Sequence, residues 1–156
     1  MEARQKNPGS EAAERKRVLD LLARAPLDDL ARVWAMLADQ PAVTMLRGPE
    51  TGLVMVRGRI GGGGSPFNLG EATVSRATVR LDNGRVGHGH ALGTNLKRAR
   101  LAAVFDALWQ DEAHRELVEK QLLLPMAARI AEEQRKKSEE VAATRVDFFT
   151  MVRGED

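Results

Sequence analysis

Hydrophobic and polar positions divide the chain into three textures. Over about residues 10–24, Val18, Leu21 and Leu22 fall on one helical face, and Ser10 stands where a cap is expected. Pro26 breaks this segment. A second run, about 27–39, sets Leu30, Val33, Trp34 and Leu37 at i, i+3, i+4 and i+7 and ends at Gln40-Pro41. The two segments read as an N-terminal helical hairpin.

Beyond Pro41 the period shortens. AVTMLRG (42–48), LVMVRGRI (53–60), EATVSRATVRL (71–81) and RVGHGHALG (85–93) are short, rich in β-branched residues and separated by the turn sequences GPETG, GGGGSPFNLG and DNG. Asp82-Asn83-Gly84 is a strong tight-hairpin signal, because Asn and Gly tolerate positive φ. No helix intervenes, so the pattern predicts a four-stranded antiparallel meander. In the third segment Ala72 and Val74 share one face, while Ala77, Val79 and Leu81 share the other. Either a bulge sits near Ser75-Arg76, or both faces are partly covered.

The helical period then returns. Thr94 is placed to cap a helix over about 95–110, a shorter apolar helix follows at about 112–123, and Pro125 opens a last helix to about 144. That helix is mostly polar, with Glu132–Lys136 and Glu133–Lys137 at the favourable i, i+4 spacing. The fold class is α+β. Residues 1–9 read as a disordered leader, 10–144 as one domain, and 145–156 as an extended tail.

With 156 residues the chain is long enough for one ordinary core. Aromatics make up only 4%, so Leu, Val, Ala and Met must fill most of it. The absence of cysteine excludes disulfides, thiolate nucleophiles and thiolate metal sites in this chain. Net charge is only +2, so the basic pI does not point to nucleic acid. No signal peptide is visible and no apolar run reaches the roughly 18 residues of a membrane span. A cytoplasmic protein is expected, with neither nucleic acid nor membrane as partner.

Several stretches resemble chemical motifs and fall short of them. Gly61–Gly64 is followed by Ser65-Pro66-Phe67, with no Lys-[Ser/Thr] and no helix, so it reads as a strand connection and not a phosphate loop. GHGHALG has the wrong glycine spacing and no βαβ unit for a dinucleotide site. Its glycines read as positions of close backbone approach. His88 and His90 lie on one face of a strand, an arrangement open to a metal or acid–base pair or to a purely structural role; no third ligand is near in sequence. Lys97, Arg98 and Arg100 follow the capped helix start and read as a solvated face. Between 53 and 93 five arginines stand against Glu71 and Asp82, a mildly basic stretch. No catalytic set and no metal site can be placed.

The tail is unusual. RVDFFTMVRG holds Phe148 and Phe149, two of the four phenylalanines, together with Met151, Val152 and Arg153. Aromatic, Met and Arg side chains are common interface anchors. The tail either folds back over its own sheet or docks on another chain.

Three stretches carry a family resemblance: Glu50-Thr51-Gly52-Leu53-Val54 running into Arg59-Ile60-Gly61-Gly62; Gly70-Glu71-Ala72-Thr73-Val74-Ser75-Arg76-Ala77-Thr78-Val79-Arg80-Leu81 with Asp82 to Gly87; and Thr144 to Gly154. In order and spacing they resemble the PhnG family, the G subunit of the bacterial carbon–phosphorus lyase core complex. The chain departs from the family at Gly93-Thr94-Asn95, where Gly-Arg-Asp is common, and at His90, where an aromatic ring is common.

The resemblance implies a role in phosphonate use. The complex, with its G, H, I and J subunits, transfers an alkylphosphonate to ribose C1 of ATP with loss of adenine, chiefly through the I subunit. A later radical step in the J subunit uses an iron–sulfur cluster. The resemblance brings no catalytic residue and no cofactor to this chain; ATP is a substrate of the complex. It implies H, I and J subunits as partners, with Phe148, Phe149, Met151 and Arg153 as docking residues. Arg57, Arg59 and Arg76, with His88, are the candidates for facing phosphate groups. The alternative is a stand-alone enzyme using His88 and His90.

Overall fold

The computed structural model describes residues 8–60 and 64–143. The elements are α1 (Pro8–Leu22), α2 (Leu27–Met36), β1 (Val43–Gly58), β2 (Phe67–Leu81), β3 (Val86–Leu92), α3 (Leu96–Trp109), α4 (Glu112–Val118), a π-helical turn (Glu119–Leu123) and α5 (Leu124–Ala143). Both expected N-terminal helices are present, and each packs mainly on α3 and the layer around it and not chiefly on the other. Helix α1 begins at Pro8, so Pro8 and Gly9, assigned above to the leader, are helical.

The class is α+β, but the sheet has three described strands, in the order β1-β2-β3, and not the expected four. AVTMLRG and LVMVRGRI are one long strand. GPETG is absorbed by register shifts between Met45 and Arg47 and between Arg47 and Glu50. The physical reason is position. Strand β1 pairs on one side only, so the N–H that Pro49 lacks interrupts little. The Arg47 Nε to Glu50 Oε1 bond, 2.8 Å, spans the irregularity.

Strand β2 runs through Ser75-Arg76 without a register shift. Ser75, Ala77, Val79 and Leu81 form its buried face, and the Ser75 hydroxyl donates to Gly93 O at 2.7 Å. Ala72 and Val74 are half-buried on the opposite face. The hairpin to β3 follows Asp82-Asn83-Gly84, with Gly84 at φ +82° and the Arg85 N–H donating to Asn83 Oδ1.

Helix α3 is the centre of the fold. Ala99 and every residue from Ala102 to Trp109 are buried, because the sheet lies on one side and α1, α2 and α4 lie on others. A helix enclosed this way has no need of a polar stripe, and LAAVFDALW shows almost none. Its seam with β3 is made of small residues. A Cβ added at Gly89 would lie 2.1 Å from Ala99 O, and one at Gly87 would lie 2.0 Å from Ala103 O. The close-approach reading of GHGHALG is therefore correct. Asn95, and not Thr94, caps α3 by accepting from Arg98 N at 3.0 Å.

Pro125 does not open a separate helix. The Leu124 N–H bonds to Glu119 O, five residues back, and α4 continues through this widened turn into α5. A proline ring crowds the carbonyl four residues behind it and offers no N–H; the π turn sits just ahead of that obstacle. From residue 131 to 142 α5 is exposed on all sides. Arg135 bonds Glu132 and Glu139 there, and Lys136 reaches Glu132 at 3.6 Å.

Candidate functional site

The face of the sheet turned away from α3 carries the candidate chemistry. Alternation fixes its members: Gly87, Gly89 and Ala91 are buried against the helix, so His88, His90 and Leu92 point outward. In β2 the same rule turns Val74, Arg76, Thr78 and Arg80 outward. Cross-strand pairing then assembles rows: Glu50–Arg76–His90, and beside it Arg47–Thr78–His88.

Glu50 organises the first row. Its Oε1 accepts from Arg76 Nε and from Arg47 Nε, both at 2.8 Å. The Arg76 hydrogen bond, against an opposing desolvation and aided by the charges of Arg47 and Arg76, holds the Glu50 carboxyl below its ordinary range. The carboxylate therefore stays ionised and fixes two guanidinium groups side by side. In the second row Thr78 Oγ1 and His88 Nδ1 lie 3.2 Å apart.

Behind this face lies a buried anchor. The Asp106 carboxylate is fully buried and accepts from Arg15 Nε (3.1 Å), Arg15 Nη2 (2.7 Å) and the His88 backbone N–H (2.8 Å). The hydrogen bond to Asp106 raises the Arg15 pKa above its ordinary value, against a desolvation that lowers it. One carboxylate thus ties α1, β3 and α3 together and fixes the backbone under His88. Local sequence gave no sign of it.

Two clefts flank these elements. One, of about 520 Å³, lies between α1 and the β3–α3 layer and is lined by Arg15, Lys16, His88, Trp109 and Gln110 among others. The other, of about 720 Å³, runs between α5 and the α1–α2 link, with Arg24, Arg98, Arg129 and Lys137 on its walls. Arg98 is committed to Ala23 O and Ala25 O, closing the end of α1, and Arg129 pairs with Asp29.

The structure brings together only part of the set singled out in the sequence. Arg76 and His88 share the outer face in adjacent rows. Arg57 pairs with Asn68 near the far end of β1, and Arg59 lies beyond it. From Glu50 to Arg57 the strand extends roughly 23 Å, so these two arginines form a separate location. His88 and His90 lie on one face as expected. Among the described residues no group of three His, Asp or Glu is placed to hold a metal. His114 is elsewhere, 2.6 Å from Asp111 through Nδ1. Phe148, Phe149, Met151 and Arg153 lie outside the described residues. Sequence reasoning missed the contact of Arg47 with Glu50, because Arg47 read as the end of one strand and Glu50 as part of the GPETG turn.

Residues 13–154 match the family model described as phosphonate metabolism protein PhnG. The chain belongs to the PhnG family. A PhnG-family relative from Rhizobium meliloti (strain 1021), named alpha-D-ribose 1-methylphosphonate 5-triphosphate synthase subunit PhnG, is 62% identical over 156 residues. The alignment covers 100% of this chain and 99% of the relative. The PhnG match thus takes in the outer face, the β1–β2 extension and the C-terminal residues alike.

Proposed function

We propose that this chain is a subunit of a ribose 1-methylphosphonate 5-triphosphate synthase, structural or activating in role, within the carbon–phosphorus lyase complex. The observation that carries the reading is the end-to-end likeness, at 62% identity, to a relative named as a subunit of that synthase. In the reaction a phosphonate oxygen bonds to ribose C1 of ATP as the C1–N bond breaks, and adenine leaves with the electron pair and takes up a proton. The partners are the H, I and J subunits, and the complex works in the cytoplasm. The C-terminal residues Phe148, Phe149, Met151 and Arg153 dock on a partner. Arg57, Arg59 and Arg76, with His88, face the phosphate groups handled inside the complex. The Glu50-fixed pair of guanidinium groups supports this for Arg76, since two oriented cations on one open face suit a multiply charged anion.

Co-expression tests the reading. The tagged chain, whole and cut after Thr144, is produced with the H, I and J subunits. The whole chain is expected to bring down the others in equal amounts and the cut chain to lose them. A whole chain that purifies alone, folded, would refute the subunit role. Alanine at Arg57, Arg59 and Arg76 is expected to leave the complex assembled and lower synthase activity at least tenfold. Full activity would remove the phosphate-facing role. If the chain were instead a stand-alone enzyme, replacing His88 and His90 would abolish an activity of the isolated protein.

A further inference from the structure

Arg47 and Glu50 stand three residues apart on β1, and in a regular strand such a pair faces opposite sides of the sheet. Here both face outward. Arg47 pairs with Thr78 and Glu50 with Arg76, so β1 uses one residue more than β2 between the same two rows. An irregularity of this kind re-aims side chains, and this one brings Arg47 and Arg76 onto a single carboxylate. Glu50 Oε1 accepts the Nε–H of both arginines, each at 2.8 Å. Each guanidinium commits only Nε to that bond. Among the described residues no hydrogen bond reaches the Nη groups of either.

Stability does not account for the arrangement. The side chains of Arg47, Glu50 and Arg76 are 58%, 42% and 46% exposed, and ion pairs as open as these add little to folding. What the trio supplies is orientation, two planar donor groups held by one acceptor. The paired outward positions of the three-stranded part of the sheet carry Arg47, Arg76 and Arg80 against one acid, Glu50, so the face around the trio is positive. Thr78 lies two residues along β2 from Arg76 and His90 lies across from it on β3, which sets a hydroxyl and an imidazole within about 5–7 Å along the sheet. We infer that Arg47 and Arg76 together bind one tetrahedral oxyanion of the synthase's substrates, a phosphate of ATP or the phosphonate, and that Glu50 is the residue that positions both. The inference rests on the phosphate-facing reading of Arg76 above. It adds a second cation, the residue that holds the two, and the form of ligand they take. Guanidinium groups suit such an anion because paired N–H donors in one plane meet two of its oxygens.

The test uses the complex assembled by co-expression with the H, I and J subunits, with ATP and methylphosphonate varied in turn. Arg47→Ala is expected to raise the KM for one of the two about tenfold or more and to leave kcat within about threefold, the pattern of lost substrate binding. The substrate affected tells phosphate from phosphonate. Arg47→Lys keeps the charge without the planar fork and should recover little of the loss. Glu50→Gln separates positioning from charge. A carboxylate that only opposes the anion would, when neutralised, give a lower KM. A positioning carboxylate gives a KM raised about three- to tenfold, because its charge-assisted hydrogen bonds to both arginines are weakened. An unchanged or lowered KM in Glu50→Gln would overturn the inference, and so would unchanged KM values for both substrates in Arg47→Ala. Loss of the H, I or J subunit from these variants, with the thermal midpoint of the chain unchanged, would overturn it in favour of an acidic partner surface. Arg76→Ala keeps the two failures apart. If it raises a KM while Arg47→Ala does not, only the shared site fails; if it changes neither KM nor kcat, the phosphate-facing reading of Arg76 fails with it.

Discussion

Replacing Gly89 by Ala tests the small-residue seam on which the whole core is built. The added carbon would lie 2.1 Å from Ala99 O and 2.4 Å from Ala103 N. Carbon contacts settle at about 3.5–4.0 Å, so β3 and α3 must part by roughly 1–1.5 Å. Both obstacles are backbone atoms of a buried helix, so no rotamer change relieves them. A gap of 0.5–1 Å already forfeits about a quarter to a half of each dispersion contact along the seam. Overpacking of this kind costs about 1–3 kcal/mol, and the backbone obstacles place this case near 3. Against it stands the smaller conformational freedom of the unfolded chain, which favours Ala by about 0.4–1 kcal/mol because φ at Gly89 is not positive. The net expectation is a loss of about 2 kcal/mol or more, or roughly 4–8 °C in Tm for a chain of this size. Urea unfolding of Gly89→Ala is compared with Gly52→Ala, where nothing lies within 4 Å of the added carbon. The Gly52 variant should be neutral or slightly more stable. Equal stabilities for the two variants would refute the account of the seam.

Arg15→Ala leaves the buried Asp106 carboxylate with only the His88 N–H, and should cost about 3–5 kcal/mol. Adding Asp106→Asn, which removes the stranded charge, should recover part of that loss in urea titrations, and additive losses would contradict the pairing. Asp111 is held below its ordinary pKa chiefly by its hydrogen bond with His114. A depressed carboxylate adds stability that is present above its unfolded pKa, about 3.9, and is lost as pH falls through the lower folded value. Asp111→Asn keeps a side chain able to cap Ala113 N, so the variant should be less stable than the wild type at pH 7 and approach it below about pH 4. A difference that stays constant across that range would rule the charge out.

The sequence was most legible where local chemistry alone decides the backbone. Asp82-Asn83-Gly84 marked its hairpin, and Pro26 separated two helices. The glycines of GHGHALG announced a close approach, since only a missing side chain lets a helix carbonyl come so near a strand. It was least legible where position in the sheet decides. Pro49 reads as a break in any local window, but an edge strand with a bulge carries it through, and that context is not in GPETG. The contact between Arg47 and Glu50 was lost with the same misreading, which set Glu50 in a turn. Arg15 and Asp106 meet only through the packing of α1 on α3, so no spacing rule could join them. Of the candidate site, the shared face of His88 and His90 followed from strand alternation, while the register of Arg76 with His90 and the separation of Arg57 and Arg59 from them depended on how the strands pair and on β1 being one long strand.

The Arg15–Asp106 contact spans 91 residues, and this sets an order on synthesis. Helix α1 is among the first segments made, and its partner carboxylate is made much later. At about 5–20 residues per second, Arg15 precedes Asp106 by roughly 5–18 s. During that interval Val18 and Leu22 have no α3 to pack against. The domain therefore closes late, when α3 emerges, and a stall in translation between α1 and α3 would leave the apolar side of α1 without its main cover for as long as the stall lasts.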